Sequence, residues 1–215
     1  MSVDLRTLVL AAADAVDAAR PELGRLDGAA GDGDHGMTMS IAARNVRRAL
    51  AALPQDASPD AVLAATSRAV AGVGGAIGPL YSGALAAMAG VAAGLTANGL
   101  DIAGLRRLAE AAEGAITSLG HAAPGDKTVV DALNPVVWAL RQAEVSAAGL
   151  ATAVEAAADA AEAGAAATTD LVAKVGRASR LGERSRGLPA AGATSLAIIV
   201  RALADGYRAG SGEEQ

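Results

Sequence analysis

Apolar residues recur three and four positions apart along almost the whole chain, with polar residues between them. This spacing gathers apolar side chains on one face of an α-helix, whereas a strand would show strict alternation and many β-branched residues. The pattern therefore predicts an all-α fold. We predict nine helices, a number that suits a closed antiparallel barrel or bundle of about eight helices. They span residues 3–19, 37–53, 59–71, 80–97, 102–119, 129–142, 150–164, 171–180 and 194–208.

Several predicted helix starts carry the residues that helix starts prefer. Ser58 precedes Pro59, and Asp101 and Asp170 stand where a side-chain oxygen can cap a helix. Glycine-rich segments separate the helices, and loops of this kind often carry binding residues; they lie at residues 28–36, 72–83, 120–126 and 182–192. Because neither a repeat of fixed period nor a linker interrupts the pattern, residues 1–215 are expected to form one domain.

The composition narrows the kind of core and the kind of partner. Hydrophobic residues make up 52% of the chain but aromatic residues only 1%, so the core must consist of small aliphatic side chains in closely packed helices. The single tryptophan, Trp138, is expected in this core. A net charge of −5 provides no positive surface for nucleic acid. The absence of cysteine excludes disulfides and thiolate metal sites and fits a reducing compartment.

The sequence predicts neither a membrane span nor a signal peptide. Residues 69–100 carry no charge and are numerous enough to cross a bilayer, but glycine and proline interrupt their first third. Alanine and glycine also insert poorly compared with leucine. Residues 1–20 contain Asp4, Asp14 and Asp17 within an apolar periodicity, unlike the basic start and apolar run of a signal peptide. The expected location is the cytoplasm.

The segment with the clearest chemistry spans residues 26–36 and reads Leu-Asp-Gly-Ala-Ala-Gly-Asp-Gly-Asp-His-Gly. Its glycines permit tight turns that bring three carboxylates to one point, those of Asp27, Asp32 and Asp34. Three converging negative charges repel one another unless cations lie between them. Oxygen-only ligands favour Mg²⁺, which proteins commonly hold through a few carboxylates together with substrate phosphates. We therefore predict one or two Mg²⁺ at these aspartates.

Two other interpretations of this segment fail, and one stays open. Gly31, Gly33 and Gly36 match the dinucleotide pattern G-x-G-x-x-G, but no hydrophobic strand precedes them and the aspartates would repel a pyrophosphate. The ligand order of an EF-hand loop is also absent. The open alternative is a solvated turn that caps the helix beginning near Met37. The N-terminus of that helix also offers backbone N–H groups that suit a phosphate.

These residues resemble the signature of the ADP-binding L subunit of dihydroxyacetone kinases. In that signature an aspartate is followed five and seven residues later by the aspartates of Gly-Asp-Gly-Asp-His-Gly. Three further segments are similar to motifs of that family in the same order, at residues 74–81, at residues 124–128 with the sequence Pro-Gly-Asp-Lys-Thr, and at residues 176–185. The similarity extends over essentially the whole chain. It implies an eight-helix antiparallel barrel with a nucleotide at one mouth, in agreement with the helix pattern.

The resemblance also implies what the matching residues do. Asp27, Asp32 and Asp34 would hold two Mg²⁺ that bridge the phosphates of ADP or ATP. The residues implied at the nucleotide are His35, Gly36, Met37, Thr38, Ala76, Ile77, Gly120, Val129, Arg177, Pro189, Ala190 and Ala191. No nucleophile is implied on this chain, so its catalytic residues stay unknown. Its role would be to position the donor and to stabilise the charge of phosphoryl transfer.

The implied partners come from the same resemblance. The acceptor would be dihydroxyacetone or a related small ketose held on a separate substrate-binding K subunit. The phosphoryl donor would be either ATP or a phosphocarrier protein of a phosphotransferase system, the M subunit, which recharges a tightly held ADP. The sequence by itself identifies neither the sugar nor the donor.

Two positions depart from the family pattern. Ile77 stands where a serine hydroxyl commonly meets phosphate, and Ala190-Ala191-Gly192 replaces an Asp-Pro-Gly turn. Loss of one hydrogen bond to a charged oxygen costs about 1.5–3 kcal/mol if nothing replaces it. The departures motivate an alternative function, a nucleotide-binding regulatory module without transfer activity, and a purely structural helical bundle is a further alternative. The Pro-Gly-Asp-Lys-Thr segment at residues 124–128 has two interpretations: either Lys127 neutralises phosphate, or Asp126 caps the helix predicted from residue 129.

Overall fold

The computed structural model describes residues 4–95 and 100–212. Their regular elements are nine α-helices, α1 to α9, and two 3₁₀ segments at Thr168–Asp170 and Arg177–Ser185. In chain order the helices span Leu5–Ala18, Arg20–Ala30, His35–Ala51, Pro59–Ala71, Ile77–Ala92, Ile102–Gly120, Val130–Val145, Leu150–Ala167 and Ala191–Ser211. Since every regular element in the described part of the chain is helical, the all-α prediction is confirmed.

Eight of these helices close into a ring. Starting from α1, the order around the ring is α3, α4, α5, α6, α7, α8 and α9, and α9 packs against α1 again. The remaining helix, α2, packs on α3, on α9 and on the 3₁₀ segment Arg177–Ser185. The predicted closed arrangement of about eight helices is therefore confirmed. The ring brings α2 and the start of α3 against the start of α9, although these segments are far apart in the sequence.

The core consists of small aliphatic side chains, as the composition predicts. One cluster of buried residues lies mainly on α6, α7, α8 and α9, and a second on α1, α3 and α4. A third, smaller cluster contains Val16, Leu23, Met39 and Ile77. Tyr81 of α5 packs against all three clusters, so this one aromatic side chain joins the separate parts of the core.

Helix α2 is not predicted by the spacing of apolar residues. Only Leu23 and Leu26 are buried along it, which is too few for a helical period, and glycine and alanine form its end. Its start does follow a known preference, because Pro21 lies in the first turn. The glycine-rich loop consequently begins after Ala30, and Asp27 lies in the last turn of a helix.

The predicted helix at residues 171–180 is wrong. Residues 171–176 form neither helix nor strand, and a 3₁₀ segment follows them. Backbone N–H groups of residues 171–176 form hydrogen bonds with residues outside this stretch. The Ala173 N–H donates to Ser185 Oγ at 2.9 Å, and the Lys174 N–H donates to the Asp126 carbonyl at 3.2 Å. These bonds replace the hydrogen bonds that a helix would make, and they hold the segment beside the Pro-Gly-Asp-Lys-Thr loop.

Two of the three predicted cap residues occupy the N-cap position of a helix. Asp101 accepts a hydrogen bond from the Gly104 N–H at 2.7 Å, whereas Ser58 is the N-cap residue of α4 without a capping hydrogen bond from its side chain. Asp170 lies inside a 3₁₀ segment, so its predicted capping role is wrong. Trp138 is 63% exposed on α7, which also corrects its expected place in the core. Residue 3 of the predicted helix 3–19 and residues 96–97 of the predicted helix 80–97 lie outside the described residues.

Within the uncharged stretch at residues 69–100, residues 69–71 belong to α4 and residues 77–92 to α5, and residues 96–99 lie outside the described residues. Throughout the part of the chain that the structure describes, no helix combines the length and the apolarity needed to cross a bilayer.

Candidate functional site

Three aspartates meet where α2 ends and α3 begins. Asp27 lies in the last turn of α2, Asp34 is the N-cap residue of α3, and Asp32 lies in the bend between them. Each offers a carboxylate oxygen, and these oxygens all lie within 4.8 Å of one another. The bend is possible because Gly33 adopts a φ of 77°, a conformation that favours glycine. A side chain on Gly31 would also crowd the cluster, since its Cβ would lie 2.8 Å from Asp27 Oδ1.

The three carboxylates differ in how firmly they are held. Asp27 is half-buried, and its Oδ2 accepts a hydrogen bond from the His35 backbone N–H at 3.2 Å, which ties the end of α2 to the start of α3. Asp32 and Asp34 are exposed. Both contact the guanidinium of Arg177, with 3.2 Å between Arg177 Nη2 and Asp34 Oδ1.

The aspartate cluster has an excess of negative charge that suits a divalent cation. Three carboxylates contribute −3 and the guanidinium of Arg177 contributes +1, so the group carries a net charge of −2. Every atom that these aspartates offer to a metal ion is a carboxylate oxygen, which is the ligand type that Mg²⁺ prefers. The side chains of Arg177, Asp32 and Asp34 are each about half exposed, so an ion could reach them from solvent. The residues present therefore fit the predicted cation.

A recess of about 190 Å³ lies beside the aspartates. Its walls come from the end of α2, the 3₁₀ segment Arg177–Ser185, residues 186–190 and the first turn of α9. Of the residues predicted at the site, it brings together six, Asp27, His35, Arg177, Pro189, Ala190 and Ala191. Ligand pockets commonly occupy about 300–1,000 Å³, so this recess encloses only part of a nucleotide-sized molecule.

His35 lies between the recess and the interior of the ring. Its Nε2 atom lies 3.0 Å from Ser195 Oγ on α9. Burial lowers the pKa of His35, while the charge of Asp27 and the backbone of Ala191 act in the opposite direction. The net effect is a pKa below the usual value of an imidazole. Ser195 was not among the residues predicted at the site. Its signal in the sequence is a serine at a position of α9 where apolar residues are expected.

Three predicted residues on the first turn of α3 do not line the recess. Gly36 is buried where α3 touches α2: a Cβ there would overlap the Arg20 carbonyl oxygen and lie 2.7 Å from the Gly24 nitrogen. Met37 is 44% exposed and borders a separate groove between α1, α2 and α3. The Thr38 N–H donates to the Asp34 carbonyl at 2.9 Å, so it already serves the helix.

The other predicted nucleotide residues lie on neighbouring loops. Ala76 is the exposed N-cap residue of α5, whereas the side chain of Ile77 is buried in the third core cluster. The loop before α5 nevertheless reaches the site, because a Cβ on Gly75 would lie 3.9 Å from Arg177 Nη2. Gly120 ends α6. Val129 is buried at the start of α7.

The structure contradicts the capping role of Asp126 in the Pro-Gly-Asp-Lys-Thr loop, whereas phosphate neutralisation by Lys127, which lines the recess, stays a prediction. Lys127 is buried, and its ammonium donates to the Thr168 and Leu188 carbonyls at 2.6 and 2.7 Å. Asp126 accepts from the Ala123 N–H at 2.8 Å and does not cap α7. Asp131 accepts from the Thr128 N–H at 2.6 Å at that helix start instead. Lys127 thus shapes the wall of the recess, by holding the segment that precedes α9.

Comparison with known proteins gives a consistent group of relatives. A family model described as the DAK2 domain matches residues 29–205. The D-erythrulose kinase of Mycolicibacterium smegmatis is 42% identical over 199 residues, which cover 91% of this chain and 34% of that protein. The ADP-binding subunit DhaL of the PEP-dependent dihydroxyacetone kinase of Escherichia coli is 36% identical over 182 residues, which cover 83% of this chain and 84% of that subunit.

Solved structures show the same fold. The native dihydroxyacetone kinase of C. freundii matches with a TM-score of 0.72 and 27% identity, over 95% of this chain and 35% of that one. The same kinase in complex with AMP-PNP and Mg²⁺ matches with a TM-score of 0.70 and 26% identity, over 94% of this chain and 33% of that one. The chain therefore spans about a third of the erythrulose and dihydroxyacetone kinases that it matches and most of the DhaL subunit.

Proposed function

The chain belongs to the DAK2 domain family, and we propose that it is the nucleotide-holding phosphotransferase unit of a dihydroxyacetone-type kinase. It would bind ADP or ATP with Mg²⁺ and transfer a phosphoryl group to dihydroxyacetone or a related small ketose. The observation that carries the proposal is the convergence of Asp27, Asp32 and Asp34 beside a recess that contains arginine side chains and a helix N-terminus. Acidic groups for metal ions and positive groups for phosphates are what phosphoryl transfer requires.

In this proposal Asp27, Asp32 and Asp34 hold Mg²⁺, with two ions as the expected number. When bound, the ions neutralise the phosphates and the charge that develops during transfer. The firm anchoring of Asp27 by the His35 N–H supports this assignment, because it fixes one ligand at a defined place before any ion binds. The exposure of the other two aspartates leaves them able to adjust to the ions.

The walls of the recess would bind and orient the nucleotide. The first turn of α9, at Ala191 and Gly192, presents the N-terminal end of a helix, where backbone N–H groups favour phosphate oxygens. Arg177 would turn from the aspartates to the phosphates once metal ions replace its charge. The residues outside the recess walls stay predictions for the rest of the nucleotide; they are Gly36, Met37, Thr38, Ala76, Ile77, Gly120 and Val129.

The acceptor would be bound by a different protein or domain. Relatives named for D-erythrulose and for dihydroxyacetone both act on small ketoses, which supports this class of acceptor. Because the chain spans about a third of the erythrulose kinase, the remainder of that protein has room for a separate ketose site. A substrate-binding K subunit would supply this site for the present chain. The donor would be ATP or a phosphocarrier M subunit, as one relative is named PEP-dependent.

Binding of ADP to the wild-type chain is expected to depend on Mg²⁺. Calorimetric titration with ADP should give a clear binding isotherm with Mg²⁺ and a strongly weakened one in EDTA, because the three aspartates repel phosphates when no cation is present. Equal binding under both conditions would contradict the metal assignment. Absence of binding under both conditions would favour the purely structural bundle.

A nucleotide-binding regulatory module without transfer activity is the second candidate. The buried aliphatic side chain of Ile77 supports it, because that position offers no hydroxyl to a phosphate. The two candidates differ in product formation when the chain is mixed with a K subunit, a ketose and either ATP or a phosphocarrier. Formation of ketose phosphate supports the kinase. Mg²⁺-dependent nucleotide binding with no product from either donor supports the regulatory module.

The Arg177→Gln variant should affect the metal alone and the metal–nucleotide complex in opposite directions. Without nucleotide, Mn²⁺ as a spectroscopic substitute for Mg²⁺ should bind about two- to fivefold more tightly, because exposed ion pairs of this kind contribute up to about 1 kcal/mol. With nucleotide, the same variant should bind more weakly, because the phosphates lose a positive partner. Electron paramagnetic resonance of unbound Mn²⁺ measures the first effect and ADP titration the second. Weaker Mn²⁺ binding in the Arg177→Gln variant would contradict the proposal that Arg177 and the metal ions compete for the same aspartates.

A further inference from the structure

Two hydroxyl groups, the buried one of Ser195 and that of the partly buried Tyr81, connect the His35 imidazole to the interior of the helical ring. His35 Nε2 lies 3.0 Å from Ser195 Oγ, which lies 3.4 Å from the Tyr81 hydroxyl oxygen. Ser195 is fully buried, and Tyr81 packs against all three core clusters. Polar groups in such a core cost free energy unless hydrogen bonds satisfy them. The three helices α3, α5 and α9 therefore each contribute one polar side chain to a single network.

The positions of the protons in this network follow from its contacts. The Ser195 hydroxyl donates to the Gly192 carbonyl at 3.0 Å. A hydroxyl has one proton to donate and two lone pairs that accept. In the arrangement that satisfies the Gly192 carbonyl, the Ser195 oxygen is left to accept, and His35 Nε2 and the Tyr81 hydroxyl are its donors. Burial raises the pKa of Tyr81, so its phenol keeps the proton that this role needs.

We infer that Ser195 and Tyr81 are positioning residues that hold the His35 imidazole as the Nε2–H tautomer and leave Nδ1 as an acceptor for the ligand. An unprotonated ring nitrogen accepts a hydrogen bond from a ribose hydroxyl or an adenine amino group. It repels phosphate oxygens, because they have no proton to donate. His35 thus recognises the nucleoside part of the ligand. The identity of the ligand rests on the proposed function, whereas the tautomer does not.

The tautomer can be measured on the protein without any ligand. The chain contains two histidines, so His121 provides an internal reference for His35. In ¹⁵N–¹H spectra of the imidazole nitrogens at about pH 8, where an imidazole is neutral, His35 should be a single Nε2–H tautomer. Ser195→Ala should shift His35 toward a mixture of tautomers and leave His121 unchanged. An Nδ1–H tautomer in the wild type would overturn the inference, as would a His35 spectrum that does not respond to Ser195→Ala.

Two further variants keep the test decisive. Tyr81→Phe retains the aromatic ring in the core and removes only the hydroxyl, so it should shift the His35 signals in the same direction by a smaller amount. Ser67→Ala is the matched control, because it removes a buried hydroxyl that donates to the Ser82 carbonyl at 2.8 Å on a different pair of helices. The control should leave both histidines unchanged. If Ser67→Ala changed His35 as much as Ser195→Ala does, the effect would reflect general loosening and the inference would fail.

The ligand part of the inference has its own measurement. Ser195→Ala should weaken Mg²⁺–ADP binding about three- to tenfold, the range expected for one hydrogen bond. It should leave Mg²⁺–pyrophosphate binding unchanged, because pyrophosphate has neither ribose nor adenine. An equal loss for both ligands would show that His35 serves the phosphates and would overturn the assignment. If the wild type bound neither ligand, the proposed function would fail while the tautomer measurement would still decide the network.

Discussion

The Asp32→Asn variant should lose almost all magnesium-dependent binding of ADP while it keeps its helical fold. The substitution replaces one carboxylate of the three-aspartate cluster with a neutral amide of similar size, at a side chain that is half exposed. Groups that only support a metal ligand already contribute about ten- to a hundredfold to metal affinity. Removal of a direct ligand should therefore weaken binding by at least about a hundredfold. Titration of ADP at a fixed Mg²⁺ concentration measures the loss.

Asp56→Asn is the matched control for this experiment. Asp56 is exposed in the connection between α3 and α4, so its substitution makes the same change of charge outside the cluster. It should bind ADP as the wild type does. Both variants should unfold within about 0.5 kcal/mol of the wild type, because each changes a surface side chain. Undiminished, magnesium-dependent binding of ADP by Asp32→Asn would remove Asp32 from the metal site.

Helices that bury a regular stripe of residues could be predicted from the sequence, and the others could not. Helix α6 buries Leu108, Ala112 and Ile116 at four-residue intervals, so its periodicity alone locates it. Helix α2 buries only Leu23 and Leu26, and its stability depends on contacts with α3 and α9 that no local pattern encodes. The opposite error at residues 171–180 has a related cause. Tertiary hydrogen bonds there override a local preference for helix.

The candidate site divides in the same way between local and distant contacts. The aspartates converge through a short glycine-containing bend, so the sequence alone predicts that they meet. Asp34 and Arg177 are 143 positions apart, and only the family resemblance indicates that Arg177 belongs at the site. Ser195 lies 160 positions from His35 and belongs to none of the quoted motifs. Contacts of this kind depend on the closure of the helical ring, which places α9 against α2 and α3.

The Gly36→Ala variant should be strongly destabilised, although it adds a single methyl group. A Cβ at Gly36 would overlap the Arg20 carbonyl oxygen and lie 2.7 Å from the Gly24 nitrogen, so the obstacle is the backbone of α2. Backbone cannot rotate aside as a flexible side chain can. Overpacking of this kind costs about 1–3 kcal/mol and occasionally more, and we expect a loss at or above the upper end. Urea unfolding followed by circular dichroism measures the change.

Gly114→Ala provides a control with the opposite expected sign. Gly114 is exposed within α6, and a Cβ there would meet nothing within 4 Å. Alanine in a helix interior is favoured over glycine by about 0.5–1 kcal/mol, so this variant should be more stable than the wild type. Equal stabilities for the two variants would show that α2 and α3 do not touch as closely as described. Since the α2–α3 contact also sets the positions of Asp27 and Asp34, Gly36→Ala should weaken magnesium-dependent ADP binding, whereas Gly114→Ala should leave it intact.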